Sequence, residues 1–310
     1  MTALEAVATY VPDRQVPIEH LAGDLGLTAM QVKVFKRFLG LAHVRRDPEG
    51  SLLDLLLAGT SGLDALRGRE HQVRYVLHAR ATPVEAPYPV NPLHELCRAL
   101  GLGHAIAFTV THHGCASQLL AIDIAGRLLA ADGDPDARAL VLAGEKTFTR
   151  DAQLMPGISV FGEAAAACLV RPDGRRDRLL AYATSVRGEF DGRFTDFPEL
   201  SARYEQEYPA ALAAVILAAV EQAGLSIDEI SLILPHNVNR ISWRRVCKLL
   251  DYPLEQVMLD NVRVTGHCFG ADVFINYQTA MDRELLHPGD LYLAASAGVG
   301  AVFAAMVFEH

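Results

Sequence analysis

The chain has 310 residues, of which 51% are hydrophobic and 21% are charged. This composition excludes a disordered or fibrous protein and indicates a large buried core, with a length that suits two units of about 150 residues. The net charge is −9, from 28 Lys and Arg against 37 Asp and Glu, which argues against a general nucleic-acid-binding protein.

Apolar runs alternate with helical patterns along the chain. The apolar runs predict buried strands at Val73–Leu77, Ile106–Val110, Leu140–Ala143, Cys168–Val170, Ile230–Leu234 and Leu291–Ala294. The patterns between them predict helices at Ile18–Leu25, Ala29–Phe38, Leu52–Leu66, Cys115–Ala131, Tyr204–Gly224 and Arg240–Leu250. This alternation predicts an α/β layered fold. The polar stretch Arg171–Arg178 contains Pro172 and Gly174 and divides the chain into an N-terminal half, 1–172, and a C-terminal half, 173–310.

One uncharged stretch, Leu291–Phe308, approaches the length of a membrane span. Ser296, Gly298 and Gly300 interrupt it, so we expect two buried strands joined by a tight connection, and no membrane association. The first residues carry no basic leader, and the five cysteines are scattered without a CxxC pair. We therefore expect a cytoplasmic protein without a disulfide framework.

Cys115 occupies the most suggestive position among the cysteines. It follows the strand Ile106–Val110 and Gly114, and it stands at the start of a helix. A helix N-terminus favours a thiolate, and the glycine allows a sharp turn into the helix. The position predicts a nucleophile, whereas the other four cysteines fit ordinary core residues.

Two histidines could serve such a nucleophile. His236 ends the strand Ile230–Leu234, and His267 lies in a glycine-flanked loop. Each alone could be a core histidine, but loops at the ends of buried strands are where α/β folds place active sites. His112 and His113 next to Cys115 point to opposite faces of an extended segment, so we expect no metal site there.

Several short segments occur in an order that resembles the β-ketoacyl-ACP synthase III family of the thiolase fold. The segments are Ala8–Val16, Phe38–Leu41 with Arg45–Arg46, Ala81–Pro83, Gly114–Ser117, Phe161–Ala165, His236–Ile241 and Ser296–Gly300. The resemblance implies a five-layered αβαβα fold with two similar halves, and a homodimer. It also implies that Cys115 accepts an acyl group and that His236 is a catalytic histidine. The oxyanion hole would consist of the N–H of Cys115 and an N–H near Gly298.

The sequence departs from this family at two places. His267 stands where the family has asparagine, which gives a Cys-His-His set, and nearby Asp272 could make His267 a better base. Asn239 and Asp272 are candidate supporting residues. The tryptophan that stacks on CoA in the family is missing, since Val34 or a neighbour falls there, which favours a carrier protein over CoA as the acyl donor. No cofactor is expected.

The helix after His236 carries a basic stripe, formed by Arg240, Arg244, Arg245 and Lys248. Such a stripe on an acidic protein suits an acidic acyl carrier protein, although an ordinary solvated helix face gives the same pattern.

Three functions remain open from the sequence. The first is decarboxylative condensation of an acyl group on Cys115 with a malonyl-type thioester. The second is acyl transfer without decarboxylation to a hydroxyl, an amine or a carrier thiol in natural-product biosynthesis. The third is a catalytically silent partner subunit, which the presence of both Cys115 and His236 disfavours.

Overall fold

A computed structural model describes residues 2–83, 86–87, 89–190 and 196–310. The strands are β1 (Ala3–Tyr10), β2 (Gln15–Pro17), β3 (His43–Arg45), β4 (Val73–Ala79), β5 (Ile106–Val110), β6 (Arg138–Glu145), β7 (Leu154–Met155), β8 (Ser159–Val160), β9 (Ala164–Arg171), β10 (Arg178–Val186), β11 (Ile230–Pro235), β12 (Leu291–Gly298) and β13 (Val302–Glu309). The helices are α1 (Ile18–Leu25), α2 (Ala29–Val34), α3 (Leu52–Thr60), α4 (Pro92–Ala99), α5 (Ser117–Asp132), α6 (Pro198–Gln222), α7 (Arg240–Leu250), α8 (Val262–Thr265) and α9 (Asp272–Asp282).

Nine of these strands form one mixed sheet with the order β11-β12-β13-β10-β1-β9-β6-β4-β5. The junction between β1 and β10 consists of a single register pair, Ala3 with Arg178, so the sheet divides there into two halves.

The two halves share one strand pattern. In the N-terminal half β4 is parallel to β5 and β6, and β9 is antiparallel to β6 and β1. In the C-terminal half β11 is parallel to β12, and β13 is antiparallel to β12 and β10. A parallel bridge between Ile233 and Val257 stands where β5 lies in the other half. The expected pair of similar halves is confirmed.

Three large apolar clusters give the layers. The first cluster packs α3 and α4 on one face of the N-terminal half-sheet. The second packs α6 and α7 on one face of the C-terminal half-sheet. Between the half-sheets lies a third cluster that contains buried residues of α5 and α9. The order is therefore α, β, α, β, α, as the resemblance implies, because each amphipathic helix must bury its apolar side against a sheet.

Helix α5 is apolar on most of its surface because it lies in the central layer, with a half-sheet on either side. Among the described residues, one helical segment, Gly114–Asp132, is long and apolar enough to cross a membrane, and 61% of that window is buried inside the protein. A core helix between two sheets has this composition. The uncharged stretch near the C-terminus forms the antiparallel strands β12 and β13, as expected.

Most predicted elements occur, but three helix predictions were wrong in extent. The helix predicted at Leu52–Leu66 ends at Thr60, and a separate 3₁₀ turn follows at Asp64–Leu66. The interruption occurs because Ser61 and Gly62 are poor helix formers. The helix predicted from Tyr204 begins at Pro198, a residue that is favoured in the first helical turn. The helix predicted at Ala29–Phe38 becomes a π-helical turn at Phe35–Leu39.

Candidate active site

Cys115 lies in a 3₁₀ turn, Gly114–Ala116, that leads into α5 at the centre of the molecule. The backbone of this turn lies directly against the backbone at the end of β12. A Cβ added to Gly298 would lie 2.8 Å from the amide nitrogen of Cys115, and one added to Gly114 would lie 2.7 Å from the Cα of Gly298. Only glycine fits at both positions. Ser296 on β12 also donates a hydrogen bond to the carbonyl of Cys115. The predicted oxyanion-hole residues, Cys115 and Gly298, are therefore neighbours.

The two predicted histidines lie side by side and are buried. His236 follows β11, and His267 follows α8. Their ring centroids are 5.8 Å apart. The backbone N–H of His267 donates to the carbonyl of Val160 at 3.1 Å, and its carbonyl accepts from Gly162 at 3.0 Å. The Phe161 ring packs against His267 with a centroid distance of 4.9 Å. The segment around Phe161 thus fixes the position of the second histidine.

Asp272, the first residue of α9, is completely buried and bonds to His267. Its Oδ2 contacts Nδ1 of His267 and accepts from the backbone N–H of Asn237 at 2.6 Å. Its Oδ1 accepts from the N–H of Cys268 at 2.8 Å and from the Asn237 side chain at 3.2 Å. A buried carboxylate with this many donors is held in one orientation. Because Nδ1 is occupied, the free ring nitrogen of His267 is Nε2.

The surroundings of the two histidines shift their pKa values in opposite directions. Burial alone would lower the pKa of His267, but Cys115 and Asp272 outweigh burial through charge and hydrogen bonds and raise the pKa to about 10. Burial and the neighbouring His267 lower the pKa of His236 to about 3, against a smaller opposing effect of the Ala295 carbonyl. At neutral pH His267 is therefore cationic beside Cys115, and His236 is neutral. A Cys-His pair of this kind is the arrangement that activates a thiol as a nucleophile.

Cys115 borders a cavity of about 760 Å³. Its lining includes Phe161 and Phe269, which form an apolar cluster with Cys115, and the exposed polar residues Arg150 and Asp151. A smaller cavity of about 110 Å³ lies between α6 and α7 and is bordered by Tyr204 and Tyr208. The acyl group of a thioester has room next to the nucleophile.

The comparisons with known proteins agree with this geometry. Residues 220–310 match the family described as 3-oxoacyl-[acyl-carrier-protein (ACP)] synthase III C terminal. The β-ketoacyl-[acyl-carrier-protein] synthase III of Rhizorhabdus wittichii is 24% identical over 271 residues, which cover 82% of each chain. The chain is therefore similar to the β-ketoacyl-ACP synthase III family, in its C-terminal part by the family match and over most of its length by the curated relative.

Solved structures show the same fold over the whole length of this chain. The structure of ChlB3, described as an acyltransferase, superposes with a TM-score of 0.86 at 20% identity and covers 99% of this chain and 97% of its own. The 3-oxoacyl-[acyl-carrier-protein] synthase III of Aquifex aeolicus superposes with a TM-score of 0.83 at 19% identity, with full coverage of both chains. The thiolase fold is confirmed.

The structure places the remaining predicted site residues outside the immediate surroundings of Cys115. Asn239 caps α7: its side chain accepts from the N–H of Ser242 at 2.8 Å and donates to the carbonyl of Ile158 at 3.1 Å. The basic stripe on α7, Arg240, Arg244, Arg245 and Lys248, is exposed along its whole length. Within the described parts of the chain, no group of three or more His, Cys, Asp or Glu side chains is arranged to hold a metal ion.

Two residues next to the site have no signal in the sequence. The hydroxyl of Tyr208 is hydrogen-bonded to Nε2 of His236 at 2.8 Å. Phe269 stacks on Phe161 with a centroid distance of 4.7 Å. Tyr208 occupies an ordinary buried position of a long helix, so its periodicity indicates only core packing.

Proposed function

We propose that the chain is an acyltransferase that takes an acyl group from a thioester onto Cys115 and passes it to a hydroxyl or amine without forming a carbon–carbon bond. The observation that carries this proposal is the bond between Asp272 and Nδ1 of His267, which leaves Nε2 directed to Cys115. A carboxylate-bound histidine beside a nucleophile is suited to move protons. Heteroatom acceptors must lose a proton, whereas decarboxylation supplies its own carbanion.

In the first half-reaction the thiolate of Cys115 attacks the thioester carbonyl of the donor. The N–H groups near Cys115 and Gly298 stabilise the negative oxygen of the tetrahedral intermediate. The intermediate collapses when the carbon–sulfur bond of the donor breaks. The departing thiolate takes the proton of His267, so the step ends with an acylated cysteine, a free thiol and a neutral imidazole.

In the second half-reaction the neutral His267 is a base. The oxygen or nitrogen of the acceptor gives its proton to Nε2 while it attacks the acyl group on Cys115. Collapse of this intermediate expels the thiolate and leaves His267 protonated, which restores the starting ion pair. Asp272 stabilises the imidazolium, and when His267 is neutral it keeps the hydrogen on Nδ1, so that Nε2 is the base.

Two further features support the choice of substrates. Relatives of the chain are named β-ketoacyl-ACP synthase III, and a structural neighbour is described as an acyltransferase, so an activated acyl thioester suits the site. The exposed basic stripe on α7 favours an acidic carrier protein as the bearer of the acyl group. We propose a soluble, cytoplasmic homodimer as the working form.

The test follows the two half-reactions separately. Intact-protein mass spectrometry with a panel of acyl thioesters measures loading of Cys115, and chromatography of products with alcohols, amines or malonyl-ACP measures transfer. We expect His267→Asn and His267→Ala to lose ester or amide formation by about two to four orders of magnitude, because neither can act as a base. Release of carbon dioxide with a β-ketoacyl product, retained in His267→Asn, would instead establish condensation. Absence of any adduct with every donor would indicate a silent subunit.

A further inference from the structure

The ring of His236 has an unusual hydrogen-bond partner for a histidine expected to face a substrate. The hydroxyl of Tyr208 lies 2.8 Å from its Nε2, and both side chains are buried. The main chain of His236 is fixed as well. The indole N–H of Trp243 donates to its carbonyl at 3.0 Å, and its own N–H donates to the carbonyl of Ala295 at 3.0 Å. The imidazole therefore has little freedom to turn away from Tyr208.

The direction of this hydrogen bond follows from the surroundings of the two groups. Burial, together with Tyr204 and Cys115, raises the pKa of Tyr208 well above its usual value, so the phenol keeps its proton. His236 is neutral at pH 7, because its pKa is strongly lowered. Among the described residues the hydroxyl of Tyr208 has no hydrogen-bond partner other than Nε2 of His236, so Nε2 is the acceptor available to its hydrogen and the phenol is the donor. Nε2 of His236 then carries no hydrogen, and the one N–H of the ring is on Nδ1.

This tautomer affects one of the reactions open to a synthase III-like site. When a malonyl thioester loses carbon dioxide, the carbon–carbon bond breaks and its electron pair enters an enolate, whose oxygen needs N–H donors. His267 is neutral after loading and keeps its Nδ1 hydrogen on Asp272, so its Nε2 presents a lone pair and is no such donor. His236 offers only the lone pair of Nε2, and that lone pair already accepts from Tyr208.

We propose that Tyr208 is a positioning residue that holds His236 in the Nδ1–H form and thereby restricts the enzyme to heteroatom acceptors. This inference rests on the proposed function, in which the acyl group passes to a heteroatom acceptor and no malonyl thioester is decarboxylated. Tyr208 also borders the cavity of about 110 Å³ between α6 and α7, whose lining does not include Cys115.

The decisive variant is Tyr208→Phe, which removes one oxygen and keeps the ring. We expect Tyr208→Phe to release carbon dioxide from a malonyl thioester about 10 to 100 times faster than the wild type, since one oxyanion donor is worth about that much or more. Adding His236→Ala to Tyr208→Phe should abolish the gain. Tyr252→Phe is the matched control: Tyr252 is also buried, and its hydroxyl donates to the carbonyl of Ile230 at 2.9 Å, away from the site.

A second measurement is made on the wild-type protein and does not depend on whether a variant folds. Nitrogen-15 NMR of histidine-labelled wild type should show Nε2 of His236 without a hydrogen and Nδ1 with one. A hydrogen on Nε2 in the wild type, or a folded Tyr208→Phe that changes neither the tautomer nor the release of carbon dioxide, would overturn the inference. Failure of the proposed function looks different, since the wild type itself would then produce a β-ketoacyl compound.

Discussion

Replacing Asp272 by asparagine tests the proton chemistry of the site most directly. The carboxylate accepts four N–H groups, two on each oxygen. Asparagine keeps one acceptor oxygen and puts an NH₂ group in place of the other. In either orientation the new NH₂ group faces two N–H donors that the carboxylate accepted, and a buried donor without an acceptor costs about 1–3 kcal/mol. We expect Asp272→Asn to lose about 2–5 kcal/mol in the free energy of unfolding.

The charges around His267 determine the direction in which Asp272→Asn changes the reaction rates. Asp272 is one of two groups that raise the pKa of His267, so His267 loses its proton at a lower pH in the variant. A histidine that is protonated beside a cysteine favours reaction of the sulfur with electrophiles. We expect alkylation of Cys115 by iodoacetamide to slow at pH 7, and acyl transfer to fall by about two to four orders of magnitude, as for a triad that loses its carboxylate.

The matched control for Asp272→Asn is Asp177→Asn. Asp177 is also buried and also bonds to a histidine Nδ1, that of His310 at 2.7 Å, together with the hydroxyls of Tyr277 and Tyr292. This network is separate from Cys115. Asp177→Asn should lower the thermal midpoint but leave the rate of alkylation unchanged. An Asp272→Asn enzyme with the wild-type rates of alkylation and transfer would refute the reasoning.

Three further outcomes follow from the site. Peptide mapping after loading should find the acyl adduct on Cys115 alone, because burial raises the pKa of the completely buried Cys168 thiol far above its usual value; an adduct on Cys168 would contradict the assignment. Gly298→Ala should slow loading about 100-fold or more, since its Cβ would lie 2.8 Å from the Cys115 nitrogen, whereas Gly103→Ala, with no atom within 4 Å, should have no effect. Arg244→Glu should raise KM for a carrier-bound donor and spare small thioesters; equal effects on both would reduce the stripe to a solvated surface.

Local signals account for the parts of the fold that could be predicted from sequence. The strand at Ile106–Val110 and the helices at Ile18–Leu25 and Arg240–Leu250 have the predicted bounds, because apolar runs and end signals coincide there. The first turns of α6 carry mostly polar, partly exposed residues, so the apolar pattern begins only at Tyr204. Strand β10 was also missed, since its exposed and buried positions alternate irregularly.

The assembly of the site could be predicted only in part. The strand, glycine and helix start around Cys115 are local features, and they were read correctly as a turn into a helix. The convergence of Cys115, His236 and His267 came from the resemblance, since no local pattern brings together residues more than a hundred positions apart. The bond between Tyr208 and His236 joins two layers of the fold, and neither periodicity nor motif order reports such a contact.

Asp272 links the two histidine-bearing loops into one unit. It stands at the N-terminus of α9, where the helix dipole favours a negative charge. The 3₁₀ turn Phe269–Ala271, with Phe269 at a φ of +52°, folds the chain back so that Asp272 meets His267 five residues earlier. The same carboxylate receives the N–H of Asn237, the residue after His236. One buried carboxylate therefore contributes, together with Cys115, to the raised pKa of His267 and also holds the backbone next to His236. Asparagine at position 267 would leave Asp272 no imidazole to bond, so we propose that His267 and Asp272 act as a pair in which the histidine is the base and the aspartate holds its ring.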